Sequence, residues 1–114
     1  MKRIQFVSDR LVDQIIAGRK TASVVLLEEV DEGEYNHAYV VGHYYEVFDS
    51  LLNPRCVIRI TGLEICRWDD IPEQLWRGET NDNPDEFRAD HIEYFDNPDD
   101  DFEFVAYYFH IIHT

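Results

Sequence analysis

The sequence predicts an α+β domain: a small closed or partly closed β-barrel of about five strands, with a leading helix and two short helices between the late strands. Three observations predict this class. Segments rich in branched and aromatic residues recur along the chain and have the composition of strands. Two of these segments are long for a chain of 114 residues, and a glycine interrupts one of them, as at a barrel corner. Closure of such a sheet removes its exposed edges.

The size and composition indicate one domain over residues 1–114, since typical domains contain about 100–200 residues. Hydrophobic residues make up 45% of the chain, which is enough for one core. No run of about 18 apolar residues is present, so we expect no membrane partner. Charged residues follow the first methionine too early for a signal peptide, and we expect a cytoplasmic protein.

The N-terminal third predicts a helix and then a strand. Ser8 can cap the helix, and Gly18 suits the left-handed position that ends it. Arg19 and Lys20 follow, where cations interact favourably with the helix dipole. The segment 23–30, SVVLLEEV, is rich in branched residues and predicts the first strand.

The middle of the chain predicts a turn at 31–36 and two further strands. The segment 42–49, GHYYEVFD, alternates enough to be one of them. The segment 56–68, CVIRITGLEICRW, is the other, and its alternation slips at Gly62, which predicts a bulge or bend there.

The C-terminal half predicts two helices and a last strand. The segment 69–78 has an aspartate as its cap and a glycine at its end. The segment 83–95 begins with Asn83 as cap, and Glu86 stands at the capping-box spacing. The closing segment 101–112, DFEFVAYYFHII, is strongly β-forming.

The net charge of −14 excludes some partners. Phosphate backbones are bound mainly through Lys and Arg, so we expect no binding of long nucleic acids. The first twenty residues differ from the rest, because they hold five basic residues against two acidic ones. We expect this segment to contact any anionic part of a small ligand.

The sequence predicts no metal site. Cys56 and Cys66 lie ten residues apart without a zinc-binding spacing, and we expect buried free thiols. His110 and His113 are three residues apart in a predicted strand, so they face opposite sides. The acidic run at 96–101 lacks the glycine and closing glutamate of a calcium loop and predicts a solvated turn.

Four ordered segments resemble the ASCH domain family, whose fold is similar to the PUA β-barrel of RNA-modifying proteins. They are IIAGRKTASVVL, CVIRITGLEICRWDDI, QLWRGETNDNPDEFRADHIEYF and DFEFVAYYFHII. The first is similar to the family's signature, Gly-x-Lys-x-x-(Glu or Thr), at the junction of the first helix and first strand. The resemblance implies a cleft lined by this signature and by the Gly-Glu of the third segment.

The chain looks like the small bacterial branch of this family, in which a lysine, a hydroxyl residue and a glutamate are associated with amidohydrolysis of acetylated cytidine nucleosides. The resemblance places these three catalytic roles on Lys20, Ser23 and Glu79, and it implies no cofactor. Ser23 stands where threonine is more usual, and Val25 stands where some members have an arginine.

The chemistry can be stated for each residue. Ser23 is the candidate nucleophile and Lys20 its candidate base, because only a short bend separates them. Glu79 would deliver a proton to the leaving amine, which requires a raised carboxyl pKa in a dry pocket. Arg19 and Thr21 are candidate substrate-binding residues. From the residues alone, the cations can equally be helix-end charges, and Ser23 a hydroxyl bonded to backbone.

Two other functions stay open. A PUA-like module could bind short RNA or a modified nucleotide without turnover, through Arg19, Lys20 and aromatic residues. A protein-interaction domain could instead present its acidic face to a basic partner, and its function would survive Lys20→Ala.

Overall fold

The computed structural model describes residues 1–6, 8–31 and 38–113, without the side chain of His113. The described chain forms five strands and three α-helices: β1 Lys2–Gln5, α1 Asp9–Ile16, β2 Ala22–Val25, β3 Tyr44–Phe48, β4 Pro54–Arg67, α2 Glu73–Gly78, α3 Pro84–His91 and β5 Glu103–His113. A 3-10 turn at Leu27–Glu29 follows β2.

The strands form one curled sheet in the order β1-β3-β4-β5-β2, in which β1 and β3 are parallel and the other pairs antiparallel. This half-barrel with three helices confirms the predicted α+β, PUA-like class. The register of β4 and β5 shifts between Ile60 and Gly62, which confirms the bulge predicted at Gly62. Because β4 bends there, its two halves contribute to two different parts of the core.

The core consists of two hydrophobic clusters, one on each side of this bend. The first packs α1 against the sheet and includes Val12, Ile15, Tyr45, Ile58 and Phe109. The second packs α2 and α3 against the sheet and includes Cys66, Trp68, Leu75, Phe87 and Phe104. Burial of each such side chain contributes about 1.5–3 kcal/mol, so these clusters fix where the three helices lie.

Several predicted bounds differ from the structure. The helix predicted to lead the chain is preceded by β1, a short strand held by its pairing with β3. The predicted strand 23–30 ends at Val25, after which the chain turns in a 3-10 helix. The aspartate cap predicted for α2 is wrong, because Pro72 is the N-cap and the helix begins at Glu73.

The predicted start of α3 is confirmed, but the helix is shorter than expected. Asn83 Oδ1 accepts a hydrogen bond of 2.8 Å from the backbone N–H of Glu86, as a helix cap does. The helix ends at His91 rather than at residue 95. The turn predicted at 31–36 lies, apart from Asp31, outside the described residues. Within the described ranges, no helix combines the length and apolar composition needed to cross a membrane.

The two thiols are buried and free, as predicted. Burial raises the pKa of Cys56 to about 11 and that of Cys66 to about 12. Only the thiolate reacts with disulfide reagents, so at pH 8 we expect both folded thiols to react about 100-fold or more slowly than in the denatured chain. Absorbance after addition of an aromatic disulfide measures both rates. Equal rates in the folded and denatured protein would contradict this.

Candidate functional site

The end of α1 turns the chain so that two adjacent cations separate. Gly18 has φ +79°, the left-handed conformation that suits the residue after a helix. The backbone oxygen of Gln14 accepts hydrogen bonds from the N–H groups of Arg19 and Lys20, at 2.9 and 3.1 Å. After this turn Arg19 is exposed, whereas Lys20 is only 2% exposed. Lys20 is therefore not a surface cation at a helix end.

The end of α2 docks directly against the start of β2. The backbone oxygen of Gly78 accepts a hydrogen bond of 2.8 Å from the N–H of Thr21. A Cβ atom added at Gly78 would lie 2.6 Å from the Cβ of Ala22, so only a glycine permits this approach. The next residue, Glu79, is thereby brought to Lys20.

Lys20, Glu79 and His91 form a buried cluster. The Lys20 ammonium donates to the backbone oxygen of Ala22 at 2.7 Å and forms an ion pair with Oε1 of Glu79. Oε2 of Glu79 lies 3.0 Å from Nε2 of His91. The side chains of Glu79 and His91 are 6% and 15% exposed. The charges of Lys20 and Glu79, with side chains 2% and 6% exposed, would be costly if unpaired, and here they pair with each other.

The surroundings of His91 fix its orientation. Nδ1 lies 2.8 Å from the backbone oxygen of Phe87, one turn earlier in α3. The imidazole also stacks on the Phe87 ring, with 4.1 Å between ring centroids. A backbone carbonyl can only accept, so Nδ1 carries a hydrogen and donates it to Phe87.

The electrostatics of Glu79 correct one expectation. Burial by itself raises the pKa of Glu79, but the charge of Lys20 and the hydrogen bonds from His91 and Lys20 outweigh it and hold the pKa below its ordinary value. The expected raised pKa is therefore wrong. Glu79 is a carboxylate in the resting protein, which makes it a proton acceptor first.

This lowered pKa predicts a pH dependence. The ionised Glu79 stabilises the fold above the ordinary carboxyl pKa of 4.5, and that contribution is lost as the pH falls through the lower folded-state value. We expect the difference in unfolding free energy between the wild type and Glu79→Gln to be constant above about pH 5 and to shrink below it. Urea titrations at several pH values measure this difference, and growth of the difference at acid pH would contradict the assignment.

A cavity of about 540 Å³ lies beside the cluster, a volume that suits a small ligand. It is lined by residues of α1, by residues at the ends of α2 and α3, and by aromatic residues of other segments. Its lining includes Gln5, Arg10, Gln14, Lys20, Ser23, Tyr39, Glu79, Thr80, Asp90, His91 and Tyr107.

Three of the five residues singled out in the sequence meet at this cavity. Lys20, Ser23 and Glu79 all line it. Arg19 and Thr21 are exposed and are not among the lining residues. Thr21 instead uses its backbone: its N–H bonds to Gly78, and its oxygen accepts from Phe109 at 2.9 Å.

Sequence reasoning missed His91, Gln14 and Thr80. For His91 a signal existed, since it follows Phe87 by four residues on the predicted aromatic face of α3. For Gln14 there was none, because a glutamine on a helix is ordinarily solvent-exposed. Within the described ranges, no group of three or more His, Cys, Asp or Glu residues could hold a metal ion.

Thr80 is strained where it contacts the cavity. It has φ 68°, which is unfavourable for a β-branched residue. The N–H of Thr80 bonds to the oxygen of Arg77 and the N–H of Asn81 to that of Trp76, which is the motif that glycine usually completes at a helix end. The strained residue thus lies in the cavity lining, directly after Glu79.

We expect Thr80→Gly to leave the free energy of unfolding unchanged or to raise it by up to about 1 kcal/mol, because glycine adopts this conformation without strain. The exposed Thr21, whose φ is not positive, provides the matched control. Thr21→Gly should lower the free energy of unfolding, since at this position glycine relieves no strain and only raises the entropy of the unfolded chain. Urea unfolding measures both changes, and equal losses in the two variants would contradict the strain.

Comparison with known proteins agrees with the fold. The family model described as ASCH domain matches residues 2–112. The structure of an ASCH domain from Lactobacillus crispatus is similar, with a TM-score of 0.81 and 20% identity over 99% of this chain and 80% of that one. A protein from Enterococcus faecalis has a TM-score of 0.72 and 22% identity over 99% and 81%. Among curated proteins nothing matches this chain.

Proposed function

Since the chain belongs to the ASCH domain family, we propose that its cavity is an amidohydrolase site that removes the acetyl group from acetylated cytidine or a similar modified nucleoside. The observation that carries this proposal is the buried cluster of Lys20, Glu79 and His91 beside a cavity that Ser23 also lines. Buried titratable groups in a cleft are typical of catalytic sites.

Lys20 is suited to stabilise negative charge on the acetyl oxygen. An ammonium group has three N–H donors, of which Ala22 and Glu79 use two. The third can donate to the carbonyl oxygen of the substrate, where charge develops as the carbon becomes tetrahedral. Lys20 therefore acts as a hydrogen-bond donor and not as the base, since the neighbouring Glu79 carboxylate accepts the proton.

Ser23 forms the covalent bond to the substrate, and Glu79 transfers the protons. The Ser23 hydroxyl adds to the acetyl carbon, and its proton passes to the Glu79 carboxylate. As the C–N bond breaks, Glu79 returns this proton to the leaving nitrogen, which releases cytidine and leaves an acetyl ester on Ser23. Water then cleaves the ester by the same route and releases acetate. His91 positions Glu79 through Oε2.

The cavity also supports a nucleoside as the substrate. Tyr39 and Tyr107 line it with ring centroids 4.7 Å apart, and aromatic faces bind bases by stacking. Arg10 also lines the cavity and comes from the basic N-terminal segment. The volume holds a single nucleoside, which agrees with a small-molecule substrate.

The experiment is a chromatographic measurement of cytidine released from acetylated cytidine by the purified protein. We expect turnover by the wild type and losses of 10²-fold or more in Lys20→Ala and Glu79→Gln. Glu73→Gln is the matched control, because Glu73 lies in α2, the helix that Glu79 directly follows, with its side chain 68% exposed. It should retain full activity.

Calorimetric binding of acetylated cytidine, measured beside this assay, separates the alternatives. Binding of acetylated cytidine without turnover, even with enzyme in excess, would reject the hydrolase and favour a module that binds a modified nucleotide or short RNA. Arg19→Ala and Thr21→Ala test the two remaining predictions. A raised KM in either would place it in the substrate site, and unchanged kinetics would follow from its position outside the cavity.

A further inference from the structure

One residue that lines the cavity has a side-chain oxygen without a hydrogen-bond partner among the described residues. Gln14 is only 7% exposed, and its Oε1 is buried without a hydrogen-bond donor among the described residues. The residue also lines the cavity. A buried acceptor left unpaired destabilises a fold, so its retention requires a reason.

A comparison with Asn81 shows why Gln14 is the informative group. Asn81 Oδ1 is also buried and unpartnered, but Asn81 does not line the cavity. Its Nδ2 donates to Asp90 at 2.9 Å and to Glu86 at 3.3 Å, so its amide has a structural role in joining the α2–α3 loop to α3. Gln14 is the one described residue that both lines the cavity and has a buried side-chain oxygen without a donor.

Gln14 is also fixed relative to the reactive cluster. Its backbone oxygen accepts the hydrogen bonds that position Arg19 and Lys20, so α1 and the loop carrying the Lys20 ammonium form one unit. Gln14 lines the same cavity as Lys20, Glu79 and Ser23, and its side chain carries a buried oxygen without a donor. A substrate that reaches the cluster lies within the cavity that Gln14 bounds.

We propose that Gln14 is a specificity-determining residue whose Oε1 accepts a hydrogen bond from the N–H of the scissile amide. This inference rests on the proposed hydrolysis of an acetylated aminopyrimidine. Such a substrate carries an N–H on the atom whose bond to the acetyl carbon breaks. An ester or an N-alkylated amide lacks that donor and would leave Oε1 unpaired, so the site selects secondary amides.

The test compares two ligands, acetylated cytidine and its analogue methylated on the amide nitrogen. Calorimetry gives both dissociation constants in a Ser23→Ala background, which prevents turnover. We expect the N–H ligand to bind about 5- to 150-fold more tightly, the range that an unpaired buried acceptor produces. In the double variant Ser23→Ala with Gln14→Met, the preference for the N–H ligand should become smaller. What remains should be the preference that the bulk of the added methyl group causes by itself.

Two controls keep the outcome specific. Gln14→Met should raise the melting temperature by a few degrees, because it removes an unpaired buried oxygen from a folded site. Gln5 also lines the cavity, but its Nε2 donates to the backbone oxygen of Asp49 at 3.3 Å. Gln5→Met should therefore leave the preference for the N–H ligand unchanged.

The outcomes separate this inference from the proposed function. An undiminished preference in Gln14→Met, or no binding of either ligand, would overturn the role of Gln14. A preference that depends on Gln14, in a wild type that releases no cytidine, would support Gln14 as a recognition residue and reject only the hydrolysis.

Discussion

Lys20→Ala and Glu79→Ala, each made alone, are expected to lower the free energy of unfolding by about 3–5 kcal/mol, because either change leaves an unpaired charge inside the protein. The Lys20 and Glu79 side chains are 2% and 6% exposed, so the remaining charge is poorly solvated. His91 remains beside Glu79 in the first variant, but it contacts only Oε2. Urea unfolding at pH 7 measures both losses.

The double variant Lys20→Met with Glu79→Met is expected to recover most of this stability, since apolar groups of similar volume can replace a buried ion pair without loss. The exposed pair Arg77 and Glu73, with side chains 66% and 68% exposed, is the control. Replacing either of its members by Ala should change stability by less than about 1 kcal/mol. Single variants at Lys20 and Glu79 as stable as this control would contradict a buried ion pair.

Gly78→Ala is expected to disrupt the site from outside it. The added Cβ would lie 2.6 Å from the Cβ of Ala22 and 3.1 Å from its backbone nitrogen, and neither atom belongs to a flexible side chain. The end of α2 must therefore move away from β2 and take Glu79 with it. We expect the overpacking to lower the free energy of unfolding by about 1–3 kcal/mol. We expect activity to fall by about 10²-fold, because a displacement of Glu79 by about 1 Å is enough to cause such a loss of rate.

Gly62→Ala is the matched control for this change. A Cβ at Gly62 would lie 3.5 Å from Cδ2 of Tyr108, which is an ordinary contact, and Gly62 is far along the chain from the cluster. We expect little loss of activity. Equal activity of Gly78→Ala and Gly62→Ala would show that the docking of α2 on β2 does not position Glu79.

The parts of the fold that the sequence predicted well have local causes. Asn83 caps α3, Gly18 ends α1 and Gly62 marks the bulge in β4, each through a preference of the residue itself. Lys20 and Glu79, which form the buried ion pair, are 59 residues apart in the chain. Only the resemblance to a family indicated that they belong to one site.

The parts that the sequence did not predict depend on contacts between distant segments. β1 has only one buried residue, Ile4, and exists because it pairs with β3. The lowered pKa of Glu79 arises from Lys20 and His91, which two other elements supply. The unpaired oxygen of Gln14 likewise becomes visible only once the cavity is formed.

The most direct measurement is cytidine release from acetylated cytidine by the wild type and by the folded Lys20→Met, Glu79→Met double variant, with melting temperatures recorded for both. We predict release by the wild type and none by the double variant at comparable stability. Release by both proteins, or by neither, would contradict the central claim that the buried Lys20–Glu79 pair carries out the hydrolysis.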